Sequence, residues 1–282
     1  MSSAPIQFDN GKVGSLIALH EWHLALGKAV SLVSSASFIE SMIDALRVLV
    51  PIECAQFALE QKSLAPILLR EIGIPSEVRS SLIGRYFASG YILDPLCFAV
   101  QSGLPQGFYH MSEVSPDDFV LSDYYKSYYL ENGLLEDCYY IVDVGDAGKL
   151  TLCFYQGVSG GRFTVKQLDL LRSVEPIVRE LIVLSYRLGG ISGVDRVQSN
   201  ELRYLSRNNI SEVFDSLGRA KLTAREKDLA HLILRGHSTK SAANCLGVGG
   251  ETIRMHRKNL YAKLKINSQA ELFSMFISAL PP

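Results

Sequence analysis

The stretch from Leu222 to Leu272 carries helix starts and stops in so fixed an order that it leaves little choice of fold. Thr223-Ala224-Arg225-Glu226 sets a Thr N-cap three residues ahead of a Glu, so each side chain can satisfy a backbone N–H of the other, a capping box. Leu229, Leu232, Ile233 and Leu234 recur behind it at helical spacing, and Gly236 ends the helix in the left-handed conformation. Ser238 opens a second, short helix through Lys240, Ala242, Ala243 and Leu246, whose alanines let another helix come close. The turn Leu246-Gly247-Val248-Gly249 leads into an amphipathic helix from Glu251 to Leu264. On it Ile253, Leu260 and Leu264 face inward, while Arg254, Arg257, Lys258 and Lys263 project outward. His256 lies at the edge of the apolar stripe with no Cys or acid at ligand spacing, so it reads as a packed or phosphate-proximal histidine rather than a metal ligand. Two helices joined by a short Gly-containing turn, the second with a basic face, form a helix-turn-helix shaped for a major groove.

The same residues carry a family resemblance. Leu222-Thr-Ala-Arg-Glu226, Gly236-His-Ser-Thr-Lys240, Ala243, Leu246, Thr252-Ile-Arg-Met-His256, Asn259-Leu-Tyr-Ala-Lys-Leu264 and Glu271-Leu272 resemble the LuxR-type (NarL/FixJ-type) C-terminal DNA-binding domain. The resemblance implies that Arg254, Met255 and Lys258 reach base edges, with Thr252 and Arg257 beside them on the same helix. It implies phosphate contacts from Thr239, Lys240, Tyr261 and Lys263. The sequence departs from the family at Ala242, where a larger aliphatic is usual, at Gly249-Gly250 in place of a Ser-type cap, and at Gln269 in place of Arg. A second Gly in the first turn costs the recognition helix roughly 0.5–1 kcal/mol.

Charge follows the motif. The whole chain has a formal net charge of −1, but residues 221–282 hold 10 Lys/Arg against 4 Asp/Glu, leaving 18 against 25 for residues 1–220. A basic tail on an acidic body is the electrostatic footprint of a domain that meets phosphate. Cys54, Cys97, Cys138, Cys153 and Cys245 are odd in number, scattered and free of any C-x-x-C pair, and read as reduced thiols of a cytosolic protein. Met1 to Asn10 lacks a signal-peptide pattern, and no apolar run reaches the roughly 20 residues of a membrane span. A cytoplasmic bacterial protein is expected.

The first 190 residues change period repeatedly, from helical to alternating and back. Helices are predicted over about Val13–Val33 around Trp22 and from Ser37 to the stop at Pro51. Cys54 to Gln61 reads as a strand with Pro66 to Arg70 as its partner, and Pro75-Ser76 starts a helix reaching Tyr91. Within it, Tyr86 to Pro95 gathers aromatics and one acid ahead of a proline. Asp94 is either a turn former or a ligand-anchoring acid, the latter because this Tyr…Asp-Pro stretch is similar to one in autoinducer-binding sensor domains. Ser115-Pro116-Asp117-Asp118 fits a helix start, with the acids on the positive helix end. The helix it opens, Phe119 to Glu131, carries Tyr124, Tyr125, Tyr128 and Tyr129, suited to a pocket for a partly polar small molecule. Tyr139–Val144 and Leu150–Tyr155 flank a Gly-rich turn as a hairpin, and Thr164 caps a long helix that runs past Pro176.

Together these elements predict an α+β sensor domain, an antiparallel sheet flanked by helices of the GAF/PAS class, over residues 1–190. A linker helix over 191–217 and an all-α, four-helix helix-turn-helix domain over 218–282 follow. Phe57, Tyr86, Tyr91, Asp94, Tyr125 and Tyr128 are the residues expected to hold the ligand, with no catalytic residue, metal or cofactor. The expected partners are double-stranded DNA at a palindromic site, an unidentified small molecule and a second copy of the chain, with RNA polymerase a further one. The linker helix and the last helix (Leu272, Phe273, Phe276, Ile277, Leu280) are the dimer candidates. Three other readings compete: a phosphorelay receiver, a ligand-independent DNA-bound regulator, and a serine hydrolase at Gly157-Val-Ser-Gly-Gly161. The hydrolase fails because its downstream histidines, His231, His237 and His256, belong to the DNA reader.

Overall fold

A computed structural model describes residues 10–62, 64–157, 160–191 and 222–279. Five strands form one antiparallel sheet in the order β2-β1-β5-β4-β3. They are β1 (Cys54–Glu60), β2 (Ile67–Ile72), β3 (Gly107–His110), β4 (Leu134–Asp143) and β5 (Lys149–Gly157). Both expected strand pairs form: β1 with β2, and the β4–β5 hairpin closing at Asp143 opposite Lys149. β1, β4 and β5 are buried along almost their whole length, because helices cover both faces of the sheet. A phosphorelay receiver, a parallel α/β fold, is overturned by this antiparallel sheet.

One face packs under α1 (Asn10–Ser31), α2 (Phe38–Leu49) and the 23-residue α8 (Val165–Arg187), which continues through Pro176. Its core is almost wholly apolar, with Phe38, Met42, Leu46, Phe57, Leu59, Tyr140, Leu152, Phe154 and Val178 fully or nearly fully buried. The other face is covered by shorter pieces: α3 (Ser76–Arg79), α4 (Arg85–Ala88), α5 (Pro95–Gln101), α6 (Met111–Val114) and α7 (Asp123–Tyr128). Here the core holds Cys54, Tyr86, Tyr91, Leu96, Tyr124, Tyr128, Tyr139, Cys153 and Tyr155, and it runs on without a break into the reader.

Two predicted helices are corrected on this side. The helix from Ser76 does not run unbroken to Tyr91: a π-turn over Ser80–Gly84 separates α3 from α4, and a 3-10 turn over Gly90–Leu93 follows. Gly90 is where Tyr128 lies closest, and a Cβ there would meet the Tyr128 ring at 2.6 Å. The stretch from Phe119 to Glu131 is likewise broken into a 3-10 turn (Phe119–Leu121), α7 and a second 3-10 turn (Leu130–Asn132). Its cap is Ser122, whose hydroxyl accepts from the Tyr125 N–H at 3.1 Å, and not Ser115, which ends α6.

The reader is four helices: α9 (Ala224–Leu234), α10 (Thr239–Leu246), α11 (Gly250–Leu264) and α12 (Gln269–Ala279). They close over Leu229, Ile233, Leu234, Ala242, Ile253, Leu260, Leu264, Leu272 and Phe276. Ser159, Leu280 and the predicted linker helix beyond Ile191 lie outside the described residues. Among the described residues no helix is long and apolar enough to cross a membrane.

Candidate functional site

The reader is built from its caps upward. The Thr223 hydroxyl accepts from the Glu226 N–H at 3.3 Å and Glu226 accepts from the Thr223 N–H at 2.7 Å, which fixes the start of α9. The same carboxylate holds the Lys263 ammonium at 2.7 Å, tying the end of α11 to that start. Burial alone would raise the Glu226 carboxyl, but Lys263 and the Thr223 donors outweigh it and hold it below the usual range. Ser238 caps α10 by accepting from the Ser241 N–H at 3.1 Å. Gly247 ends α10 at φ 64°, the left-handed turn that aims α11 away. Gly249 caps α11 without a side-chain bond, as the Gly-Gly departure implies.

Ile253, Leu260 and Leu264 anchor α11, and the opposite side carries Arg254, Met255 and Lys258 in solvent, with Met255 at 53% exposure. An exposed thioether beside basic residues suits contact with base edges. Arg254 is held by Glu251 one turn earlier. Thr252 and Arg257 are half-buried, Lys240 is exposed, and Thr239 and Tyr261 are half-buried. Lys263, expected at a phosphate, is exposed and also pairs with Glu226.

The second cluster lies on the broken-helix face of the sheet, and it is where acids are buried. Five of the six residues expected at the ligand, Tyr86, Tyr91, Asp94, Tyr125 and Tyr128, fall in this one core. Phe57 does not: it points to the opposite face, where it lines a small cleft with Ala36, Ile39, Leu69 and Ile191. In β1 successive side chains alternate faces, and Phe57 is out of phase with Gln56 and Ala58.

Asp94 is a helix cap whose second oxygen turns into the tyrosine core. As N-cap of α5 it accepts from the Leu96 N–H at 2.8 Å, and its other oxygen accepts from the Tyr86 hydroxyl. Cys97, one turn on, points its thiol at Glu60 (3.5 Å) and Asp94 (4.0 Å). A third acid, Asp137, accepts from Tyr139 (2.7 Å), Tyr129 (3.0 Å) and the Cys153 thiol (3.5 Å). Burial is the main cause that lifts all three, Asp94 to about 6, Asp137 to about 7 and Glu60 to about 8. Gln56, opposite Cys153 in the sheet, adds a buried amide oxygen without a donor. Stacked rings roof the cluster, Tyr124 on Tyr128 at 4.6 Å and Tyr125 on Tyr129 at 5.1 Å.

Sequence reasoning missed Glu60, Gln56, Asp137 and Tyr139. Their signal was present: polar residues two or four apart in strands otherwise apolar mark one face. Among the described residues no three of His, Cys, Asp and Glu are grouped to hold a metal ion.

Residues 220–276 match the profile described as "Bacterial regulatory proteins, luxR family". The putative HTH-type transcriptional regulator in the exeN 3' region of Aeromonas salmonicida is 31% identical over 192 residues, which span 66% of this chain and 94% of that protein. The transcriptional regulatory protein MctR of Rhizobium johnstonii is 44% identical over 69 residues, 22% of this chain and 32% of that one. Among solved structures, the VqsR LBD domain from Pseudomonas aeruginosa superposes with a TM-score of 0.51 at 24% identity, over 59% of this chain and 97% of that domain. That last likeness is one of fold.

Proposed function

This chain belongs to the luxR family of bacterial regulatory proteins and is a DNA-binding transcriptional regulator, and on that footing we propose that a small molecule held on the tyrosine–carboxyl face controls how the reader meets promoter DNA. The observation that carries the reading is the set of buried acceptors on that face. Glu60, Asp94, Asp137 and the Gln56 amide oxygen lie among tyrosines, and among the described residues Glu60 has a thiol as its one hydrogen-bond donor. Asp94 and Asp137 have donors of their own, but Glu60 and Gln56 are costly to bury with so few, and a ligand that presents donors to them offsets that cost. The ligand acts by binding the DNA-competent arrangement more tightly than the other, since equal affinity for both would shift nothing.

On the DNA side, Arg254, Met255 and Lys258 read bases, Thr252 and Arg257 support them from the same helix, and Thr239, Lys240, Tyr261 and Lys263 face phosphates. The sensor spans 1–190, the linker 191–217 and the reader 218–282. The protein works in the cytoplasm as a homodimer on a palindromic site, with half-site centres about one helical turn apart, where RNA polymerase is a further partner. Two measurements test this. Mass spectrometry of the purified chain is expected to find a copurifying small molecule that raises the melting temperature when added back. Arg254→Ala is expected to cost about 1–3 kcal/mol on the preferred sequence and much less on others. Equal loss on every duplex would remove Arg254 from base reading.

A further inference from the structure

The reader sits on the sensor half through contacts at the turn that opens α10. The Asp118 N–H donates to the Gly236 carbonyl at 3.1 Å. The Asp117 carboxylate accepts from the Ser238 N–H at 3.0 Å with one oxygen and from the Ser238 hydroxyl at 2.5 Å with the other. Arg235, the last residue before that turn, lies 4.1 Å over the Phe98 ring and donates to the Ile92 carbonyl at 3.4 Å. At closest approach the reader presents Gly236, with φ +88°, and a Cβ there would meet Phe119 Cα at 2.8 Å.

Ser238 is the N-cap of α10, and the unpaired amides behind it make this end of the helix positive. Helix ends of this kind take phosphate oxygens, and backbone contacts of this kind set a reader's register on a duplex. Thr239 and Lys240, the next two residues, are those placed at phosphates above. Tyr261 is also drawn in: it is half-buried, burial raises its phenol, and both Arg257 on its own helix and Asp123 on α7 lie near enough to act on it in opposite directions.

We propose that the sensor edge around Asp117 is a docking face for the reader, on which the Asp117 carboxylate takes the place of a DNA phosphate at the N-terminus of α10. The seated reader and a duplex then compete for the same donors. A phosphate arriving at Ser238 meets a carboxylate of like charge, which it must displace. Arg254, Met255 and Lys258 stay exposed throughout, so docking withholds the backbone anchor and leaves the base-reading face free. The seat lowers DNA affinity without abolishing it. It also touches the candidate ligand face directly: Phe98, which holds Arg235, stands on α5 between the Asp94 cap and the end of that helix, one residue after Cys97.

The test rests on the DNA-reading assignment and is arranged to separate the two. Duplex binding by the full chain is measured by anisotropy with a labelled random-sequence oligonucleotide in dilute buffer, for wild type, Asp117→Asn, Phe98→Ala, the double variant and Lys258→Ala. Both docking substitutions are on the sensor side, so any gain in affinity comes from release of an unaltered reader. Exposed hydrogen bonds and cation–π contacts of this size put the gain at about threefold for Asp117→Asn and about tenfold for the double variant. Hydrogen exchange at the Ser238 amide is expected to quicken in Asp117→Asn. Unchanged or weaker binding in both sensor-side variants, with wild-type melting and faster Ser238 exchange, overturns the proposal. If the wild type binds no better than Lys258→Ala, it is the reader assignment that fails.

Discussion

The two faces of the sheet handle burial in opposite ways. Under α1, α2 and α8 the side chains are aliphatic or aromatic, and the buried acid at the margin of that side, Glu136, is surrounded by donors. Arg162 lies at 3.0 Å, His110 at 3.3 Å, and the Phe163 N–H donates to it. Burial opposes ionisation there, but His110, Phe163 and Arg162 prevail and hold Glu136 below the usual carboxylate range. Under the broken helices, Glu60, Asp94 and Asp137 are as deeply buried, yet their partners are hydroxyls, thiols and one backbone amide, and their affinity for protons rises. A protein that needed both faces only for packing would not leave three acids without a cation. The difference is what the proposed function calls for, with stability on one side and a ligand taken on the other.

Truncating the packing face gives the largest expected effect. Phe57 is fully buried, and Phe57→Ala is expected to cost about 3–5 kcal/mol through lost transfer energy and the cavity left behind. In thermal melts this is a drop of roughly ten degrees or more. Response to the copurifying molecule, compared below the lowered transition, should survive. Loss of that response with melting unchanged would reverse the roles of the two faces.

A smaller effect is expected across the sheet. Asp137→Ala removes the acceptor of two tyrosine hydroxyls and a thiol, leaving buried donors unpaired at about 1–3 kcal/mol. Asp137→Asn keeps one acceptor and should cost less. Urea midpoints for the pair test the order, and an alanine variant as stable as wild type would mean that the network is already open to water.

Much of the reader was legible because its signals are local. Thr223 and Glu226, Ser238, and Gly247 each act within a few residues of their own position, and helix boundaries follow from them. The sheet was legible in its pairs, where the Gly-rich turn at 145–148 fixes the β4–β5 register. What escaped was set at long range. Asp117 looked like a helix-end acid, but its partner, Ser238, is 121 positions away. Lys263 reads as a phosphate contact, and its pairing with Glu226, 37 positions earlier, is not visible in the sequence. That Phe57 faces away from the other five residues expected at the ligand is not legible locally, because the phase of one strand against the cover on each face is a property of the assembled sheet. The four tyrosines after Phe119 were found, but the break at Ser122 that turns two stacked pairs toward Asp94 and Asp137 depends on packing against the sheet.

The smallest effect is also the most diagnostic, since it reads charge alone. Glu60 titrates at about 8 in the folded chain against an ordinary value of 4.5. A carboxyl that binds its proton more tightly when folded stabilises the fold fully below the ordinary value and loses that contribution as pH rises through the folded one. Between about pH 4.5 and 8 the sensor should therefore lose stability, with Asp94 and Asp137 adding to the lower part of the window. Glu60→Gln keeps the shape and cannot ionise, so it should melt within a degree or two of wild type at pH 5. At pH 8.5 it should melt a few degrees higher, giving a flatter profile. The ligand sharpens the contrast: a molecule that presents donors or positive charge to Glu60 lowers its proton affinity, so the wild-type profile flattens on saturation while that of Glu60→Gln does not move. Parallel profiles for the two proteins without ligand would mean that Glu60 is solvated, and the two faces of the sheet would then differ in composition but not in kind.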